Sequence, residues 1–450
     1  MSDEASVLAS EAYVFGFPLV ANLERCIRFT TGGVGDLAPV PFNAFGHARR
    51  LADPGYAFVS VNNDTLYSVA IVDLSVGPLI LTVPSATDRY HVLGFVDAWT
   101  NNFAYLGTRS TGGVGGDYLL VPPHWSREGH GDGAAASSST AVIRFPTTVG
   151  VIVGKWELHG DEDPAEVHAL QNALALHPAS EDTAAPTGIP AIPQSDDEAL
   201  DFFEKLRVWS QAFPPSEIDA VALATYESLG LTSQTPIAQA PPELQDALRS
   251  GYADGKDALE SAVRSGQGPL VSSWTLDLHA FDYNLDFFEL GTIRAAEWMH
   301  DDPSTRYAVR AAAARVGLWG THGYETAYAL AYTDAEGERL TGEHAYCIRL
   351  HPTPPGGAFW SLTMYDLPEF QLVENPIHRY SIGGRTRGIV YDDDGGLTIT
   401  MSAARPTDAR DAANWLPTPA GPFRPILRLY EPGPEILEGL YEVPPIERVG

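Results

Sequence analysis

Cysteine and basic residues are scarce in this chain, and each scarcity excludes a class of protein. Cys26 and Cys347 are the only cysteines among 450 residues, too few for a disulfide framework or a zinc–thiolate cluster. Lys and Arg together number 28 against 58 Asp and Glu, which gives a formal net charge of −30. Such a charge repels nucleic acid and anionic membrane surfaces, and it disfavours a polyanionic substrate.

Long apolar runs and an export signal are missing as well. PLILTVP (78–84) and VGVIVG (149–154) are far too short to span a bilayer. The N-terminal stretch MSDEASVLASEAYVFGF has two early acids and no basic segment, so we do not interpret it as a secretory signal. We therefore expect a cytoplasmic protein with neither a membrane nor a nucleic acid as partner. The sequence leaves homo-oligomerisation open.

Familiar cofactor and catalytic motifs are absent too. The sequence has no GxxxxGK(S/T), no GxSxG and no HExxH. GGVGG (112–116) is interpreted as a loop, and YDDDGG (391–396) as a hairpin turn rather than a calcium loop. The thirteen histidines include no pair that we assign to a metal. We therefore expect no NAD, flavin, haem or zinc–thiolate site, and we name no metal ligands.

The periodicity of the apolar residues divides the chain into blocks of one element type. A helix comes first, strand-like alternation fills 56–158, more helices follow, and strands return in 320–430. This order predicts an α+β protein with two β-rich, mainly antiparallel sheet domains and bridging helices. We place the domains at 1–178, 179–273 and 274–450. The predicted helices cover 4–27, 163–176, 196–212, 216–229, 241–264 and 303–316, the predicted loops cover 128–140 and 178–198, and the predicted strands include 56–61 and 388–393.

The stretch Asn62-Asn63-Asp64-Thr65 stands at the start of a predicted strand and admits two interpretations. Asn, Asp and Thr side chains cap backbone groups, so the four residues suit a turn. They also suit a pocket, because FVDAWTNNF and GTRS place more polar and aromatic residues at nearby strand ends. Strand alternation puts Asp64 on the same side as the apolar Leu66. We therefore expect the Asp64 carboxylate at a pocket mouth, with Asn101 and Arg109 beside it.

Two sets of candidate site residues follow from this concentration of polar and aromatic side chains. One set has groups that transfer protons or stabilise charge, and the other has groups that hold a small apolar or aromatic molecule. The candidate catalytic residues are His47, Asp64, Asp97, Arg109, Tyr365, Asp366 and Arg379. The candidate substrate-binding residues are Asn62, Asn63, Tyr67, Trp99, Asn101, His322, Trp360 and Tyr380.

Several long motifs resemble a known pair of bacterial families. NNDTLYS, RYHVLGFVDAWTNNFAYLGTRSTG and GKWEL are similar to the domain-of-unknown-function family 1254. FWSLTMYDLPEFQLVENPIHRYSIGG, DDGGLTITMS and NWLPTPAGPFRPILRLYEP are similar to family 1214. The resemblance covers about residues 8–176 and 275–449, and it implies two β-rich domains that pack together. Relatives commonly have Pro-Asn where this chain has Asn62-Asn63, and many begin with an export signal, which we do not find here.

The leading functional hypothesis is a small-molecule enzyme that needs no cofactor. It would act on an apolar or aromatic metabolite by acid–base chemistry, that is, by hydrolysis, elimination or cyclisation. One alternative is a ligand-binding or scaffolding protein without turnover. Another is a metal-dependent hydrolase that uses His and Asp ligands.

Overall fold

A computed structural model describes residues 2–33, 37–55, 60–126, 140–158, 162–181, 184–265 and 270–449. Several helices begin at a residue that caps the first turn. Asp197, Ser216 and Asp302 accept the N–H groups of the first turn through their side chains. The α-helices are Ser2–Thr31, Thr108–Thr111, Ala165–Ala173, Glu198–Ala212, Glu217–Thr225, Pro242–Ser265, Pro303–Val316, Ala409–Ala413 and Pro434–Leu437, and the 3-10 helices are Leu74–Val76, Glu227–Leu229, Ile237–Gln239 and Ala296–Trp298.

The N-terminal half contains two sheets that share a core. Leu66, Leu81, Phe95 and Trp156 belong to this core and are buried. The first sheet is antiparallel and has the strand order Phe45–His47, Thr65–Asp73, Val149–Glu157, His91–Asp97 and Asn102–Gly107. The second has the order Ala141–Arg144, Gly116–Val121, Leu79–Val83 and Ala175–Pro178, and only its first pair is parallel.

The C-terminal half repeats this arrangement with two further sheets. Trp274, Leu362, Ile399 and Leu427 are among the buried residues between them. The third sheet is antiparallel, with the order Leu270–Val271, Trp274–Asp277, Thr326–Ala331, Phe423–Pro432, Gly356–Asp366 and Ser381–Gly383. The fourth has the order Trp415–Pro417, Leu397–Ser402, Ala345–Leu350 and Glu447–Val449, and its first pair is parallel.

A layer of helices covers the outer face of the first sheet. Helix Ser2–Thr31 packs against Glu198–Ala212, Pro242–Ser265 and Pro303–Val316. Its buried residues share a core with Val69 and other residues of the first sheet. Within the described part of the chain, Glu4–Thr31 is long and apolar enough to cross a membrane, but 56% of its most apolar window is buried in the protein. A core helix passes the same test, so this helix is weak evidence for a membrane span.

The predicted α+β class with β-rich, mainly antiparallel sheets is confirmed. The division at residues 178 and 273 stays a prediction. Most of the predicted strand 56–61 and of the predicted loop 128–140 lies outside the described residues.

Two predicted elements were wrong in detail. The predicted helix 163–176 ends at Ala173, and Ala175–Pro178 instead pairs with Leu79–Val83 as an edge strand. Segment 388–393 is not a strand, because Asn414 binds both the N–H (2.8 Å) and the C=O (2.7 Å) of Val390 through its side chain. The turn at 392–396 therefore has a strand only on its C-terminal side.

Candidate functional site

The stretch Asn62–Thr65 forms a turn that starts the strand Thr65–Asp73. Asn62 Oδ1 accepts the backbone N–H groups of Asp64 and Thr65, both at 3.1 Å. Asn62 Nδ2 donates to the Tyr67 hydroxyl at 2.9 Å, and Asn63 Nδ2 donates to the Ala52 carbonyl at 2.5 Å. The side chains of Asn62 and Asn63 therefore satisfy backbone N–H and C=O groups near the start of the strand, as in an Asx turn.

Asp64 joins the two halves of the molecule. Its Oδ2 accepts hydrogen bonds from Ser361 Oγ at 2.6 Å and from the Tyr430 hydroxyl at 2.9 Å. Ser381 Oγ lies 3.4 Å from Oδ1. The residue is buried and lines neither of the two cavities described below. Its contacts therefore describe a polar link between the first and third sheets.

The predicted partners of Asp64, Asn101 and Arg109, were wrong. Thr65–Asp73 pairs with Phe45–His47 on one side and Val149–Glu157 on the other, so the segment that carries Asn101 and Arg109 is not adjacent to it. Arg109 Nε pairs with Glu325 at 2.5 Å. Asn101 Nδ2 donates instead to Asp97 at 2.8 Å.

Replacing Asp64 by asparagine separates the structural from the catalytic role of this residue. The amide oxygen can still accept from both hydroxyl groups, but an NH2 group replaces the oxygen that accepts from Ser381, and the negative charge is lost. We expect the free energy of unfolding to fall by about 1–3 kcal/mol while turnover per folded molecule is retained. Urea unfolding measures the free energy of unfolding, and the turnover rate divided by the concentration of folded protein shows whether activity is retained. Collapse of turnover at unchanged stability would instead make Asp64 catalytic.

Asp97, Trp99 and Asn101 lie together where the first sheet meets the helical layer. Arg310 donates to the Trp99 carbonyl at 2.7 Å and to Asn101 Oδ1 at 3.1 Å. The Trp99 indole N–H donates to the Phe213 carbonyl at 2.8 Å. Burial raises the pKa of Asp97 to about 6, although Arg310 opposes that shift. All three predicted residues therefore contact protein groups in a packed interior.

The other predicted catalytic residues are also used in local structure. His47 Nδ1 lies 2.8 Å from Ser68 Oγ, and burial lowers its pKa to about 4. Tyr365 donates to the Val61 carbonyl at 2.6 Å, and Asp366 accepts the Gln371 N–H at 2.7 Å. Arg379, which precedes Tyr380, donates to the carbonyls of Ala413 and Trp415 at 2.8 and 2.9 Å. The tertiary structure does not bring these residues together around one cavity.

A cavity of about 730 Å³ lies elsewhere, between the third sheet, the helix Pro303–Val316 and the C-terminal segment. Most of its wall is apolar. His279 and His300 are its two histidines, and both belong to segments that the sequence analysis did not select. The lining residues are Val271, Trp274, Leu276, Asp277, Leu278, His279, His300, Thr305, Ala308, Val309, Ile436, Gly439, Tyr441, Glu442 and Val443.

His279 and Asp282 form a hydrogen-bonded dyad at the wall of this cavity. His279 Nδ1 lies 2.6 Å from Asp282 Oδ2. The His279 side chain is 45% exposed, whereas Asp282 is fully buried. An ionised carboxylate can only accept, so Nδ1 carries a proton and the other ring nitrogen, Nε2, has a free lone pair when the ring is neutral. The hydrogen bond to Asp282 raises the pKa of His279 above its ordinary value.

A turn after the strand Trp274–Asp277 positions this dyad. Asp277 Oδ1 accepts the His279 N–H at 2.8 Å, and the Asp282 N–H donates to the His279 carbonyl at 3.2 Å. His300 binds the turn twice, through its backbone N–H to the Asp282 carbonyl (2.8 Å) and through Nε2 to the His279 carbonyl (2.7 Å). A His and an Asp three residues apart were the available sequence signal, in a segment where we predicted neither a helix nor a strand.

His322, predicted to bind substrate, lies behind this dyad. It is buried and does not line the cavity. His322 Nε2 is 4.0 Å from Asp282 Oδ1, and its Nδ1 is 2.8 Å from the Tyr105 hydroxyl. The structure therefore places His322, a predicted site residue, next to this pair.

A second cavity, of about 230 Å³, contains the predicted residue Trp360. Phe359 and Tyr430 stack in its wall with ring centroids 4.1 Å apart, and the Arg385 guanidinium lies 5.4 Å from the Phe359 ring. Arg385 is already paired with Glu157. Across the described ranges, no group of three or more His, Cys, Asp or Glu residues is arranged to hold a metal ion.

Comparison with known proteins places the chain in a family context. Residues 42–178 match a family described as "Protein of unknown function (DUF1254)", and residues 325–434 match "Protein of unknown function (DUF1214)". The chain combines a DUF1254 region with a DUF1214 region. No curated protein matches it. The His279 cavity is lined mainly by residues between and after these two regions, whereas Asp64 lies within the DUF1254 region.

Two solved structures are similar to this DUF1254–DUF1214 chain. The VPA0106 protein from Vibrio parahaemolyticus is 23% identical, with a TM-score of 0.73, and the alignment covers 99% of this chain and 100% of that one. This similarity concerns the fold. An uncharacterised protein from Burkholderia cenocepacia is 12% identical, with a TM-score of 0.45 over 100% of this chain and 93% of its own.

Proposed function

We propose that this protein is an acid–base enzyme that acts on a small, uncharged, largely apolar molecule bound in the His279 cavity. The observation that carries the proposal is the dyad. A half-exposed imidazole faces a cavity large enough for a small ligand, and a buried carboxylate holds its other nitrogen at 2.6 Å. This combination gives a base whose protonated form is stabilised by a fixed negative charge.

The character of the cavity wall supports an uncharged substrate. Asp277 and Glu442 are acidic, and the lining residues given above include no Lys or Arg to pair with a carboxylate or phosphate. Leu270 and Leu440 are each 71% exposed and adjoin the lining residues Val271, Gly439 and Tyr441. An apolar wall that continues into an apolar rim favours an apolar ligand.

His279 can transfer protons in two kinds of reaction. In an elimination, His279 Nε2 takes a proton from a C–H group, and the electron pair of that bond forms a double bond as a leaving group departs. In a hydrolysis, Nε2 takes a proton from a water molecule, and the water oxygen adds to an electrophilic carbon. The imidazolium that forms is paired with the Asp282 carboxylate, and it returns its proton to the leaving group or to solvent. Elimination and hydrolysis therefore need the same two proton transfers from and to His279.

A base-dependent elimination tests the proposal without knowledge of the natural substrate. In 5-nitrobenzisoxazole, a small uncharged molecule, removal of one ring proton opens the N–O bond and releases a coloured phenolate. We expect saturable turnover by the wild-type protein at a rate above that of free imidazole at equal concentration. Saturable binding of this probe without turnover would overturn the catalytic proposal and favour the ligand-binding alternative.

The pH dependence of this elimination follows from the dyad. The base must be neutral, so kcat is low below the His279 pKa and rises as the pH passes through it. Asp282 raises that pKa, so we expect the midpoint to lie above 6.5. In Asp282→Asn the hydrogen-bond acceptor is kept and the charge is lost, so the midpoint should fall by about 1–3 pH units. A kcat–pH profile checks this, and an unshifted midpoint contradicts it.

A further inference from the structure

Asp282 carries a buried oxygen that the dyad itself does not satisfy. The residue is fully buried and its Oδ2 accepts from His279, but Oδ1 has no hydrogen-bond partner within the described part of the protein. A buried ionised carboxylate with one unpaired oxygen is costly. The nitrogen that faces this oxygen is His322 Nε2, at 4.0 Å.

The tautomer of His322 follows from its other contacts. The His322 backbone N–H donates to the Tyr105 hydroxyl at 3.1 Å, and the hydroxyl's own proton finds a partner in the described part of the protein only when it is donated to His322 Nδ1. His322 Nδ1 lies 2.8 Å from the same hydroxyl and accepts that proton. The proton of the neutral ring is therefore on Nε2, the atom nearest Asp282. Burial lowers the pKa of His322 to about 3, so the ring is neutral at physiological pH.

We propose that His322 is a positioning residue whose Nε2–H donates to the free oxygen of Asp282. His279, Asp282 and His322 then act as a three-membered unit, in which Tyr105 fixes the tautomer of His322. A shift of about 1 Å brings the 4.0 Å separation to hydrogen-bonding distance. The bond stabilises the Asp282 anion and keeps Oδ2 directed at His279. This inference rests on the proposed function, because it concerns the base used there.

The surroundings hold His322 in the orientation that this role needs. Its ring stacks on Tyr324 with centroids 4.8 Å apart and planes 8° apart. The Arg109 guanidinium lies 4.8 Å from the other member of the stack, Tyr324, and its charge contributes to the low His322 pKa. The titratable or charged groups that face the three-membered unit in the described part of the protein are Tyr105, Arg109, Asp277, Tyr283, His300, Tyr324 and Glu325.

The test measures the His279 pKa directly by NMR of histidine-labelled protein, with the His279 signal identified from its absence in His279→Gln. In His322→Phe the ring stack is kept and the N–H is lost. The Asp282 carboxylate then keeps more of its negative charge on Oδ2, so the His279 pKa should rise by about 1 unit. Because Oδ2 is no longer held toward His279, kcat for 5-nitrobenzisoxazole, measured above that pKa, should fall about tenfold with KM unchanged. His322→Gln, whose amide N–H reaches the same place, should restore most of the pKa.

An unchanged His279 pKa in His322→Phe overturns the inference, whether or not the protein turns over the probe. If the wild-type protein does not turn over the probe but the His279 pKa still shifts in His322→Phe, the proposed function is overturned and the positioning role of His322 stands. If His322→Phe does not fold, Tyr105→Phe replaces it. Loss of that hydroxyl frees the His322 tautomer and weakens the donation to Asp282, so the His279 pKa should rise as in His322→Phe, and no change there overturns the inference.

Discussion

His279→Gln is expected to lower kcat for 5-nitrobenzisoxazole elimination by about 10²–10⁴-fold, the range that positioned general bases contribute. Glutamine is close to histidine in size and polarity, so it can still donate to the Asp282 carboxylate, but its amide has no basic lone pair. The fold should tolerate the change because the side chain is 45% exposed at the cavity wall. KM should change little, since most of the wall is apolar and remains intact.

The chain offers a matched control for this substitution. His351 has a side chain that is also 45% exposed, and its Nδ1 lies 3.9 Å from the carboxylate of Asp394, but it lines neither cavity. His351→Gln should therefore keep kcat within a factor of two of the wild type. Equal losses in the two variants would mean that turnover does not depend on the cavity. Wild-type kcat in His279→Gln would remove His279 from the proposed chemistry.

Asp219→Ala is expected to be the most destabilising of the substitutions considered, at about 3–5 kcal/mol. Asp219 Oδ1 accepts from Arg306 at 2.9 Å and from the Tyr307 hydroxyl at 3.1 Å, while Oδ2 accepts from Arg310 at 2.8 Å. The Arg306 and Arg310 side chains are only 2% and 1% exposed. Removing the carboxylate takes away the counter-charge that the two buried guanidinium groups share, although Asp97 remains close to Arg310.

Urea unfolding followed by circular dichroism measures this loss. Glu217→Ala is the control on the same helix, because Glu217 is exposed, and its effect should stay within about 0.5 kcal/mol. A loss below about 1 kcal/mol in Asp219→Ala would show that water or the remaining hydrogen bonds to the Trp99 carbonyl and Asn101 satisfy Arg310.

The position of the Arg306–Asp219–Arg310 cluster illustrates what local sequence could not supply. Asp219 lies in the helix that begins after Ser216, and both arginines lie in a helix that begins about 85 residues later. Each helix was predicted from its own apolar spacing, with ends within a few residues of those observed. The contact between them depends on how the helical layer folds over the first sheet, and periodicity carries no information on that.

The sequence by itself determined most of the element types, their order in the chain, the α+β class and the turn at Asn62–Thr65, because these follow from side-chain spacing and turn chemistry over a few residues. Tertiary structure decided which polar residues meet. It set Asp64 against Ser361 and Tyr430, and it placed His279 and Asp282 at a cavity whose walls come from segments more than 160 residues apart in the chain. The physical reason is that a site depends on distances and burial across separate elements, whereas a strand or helix pattern specifies only which face of its own element a residue occupies.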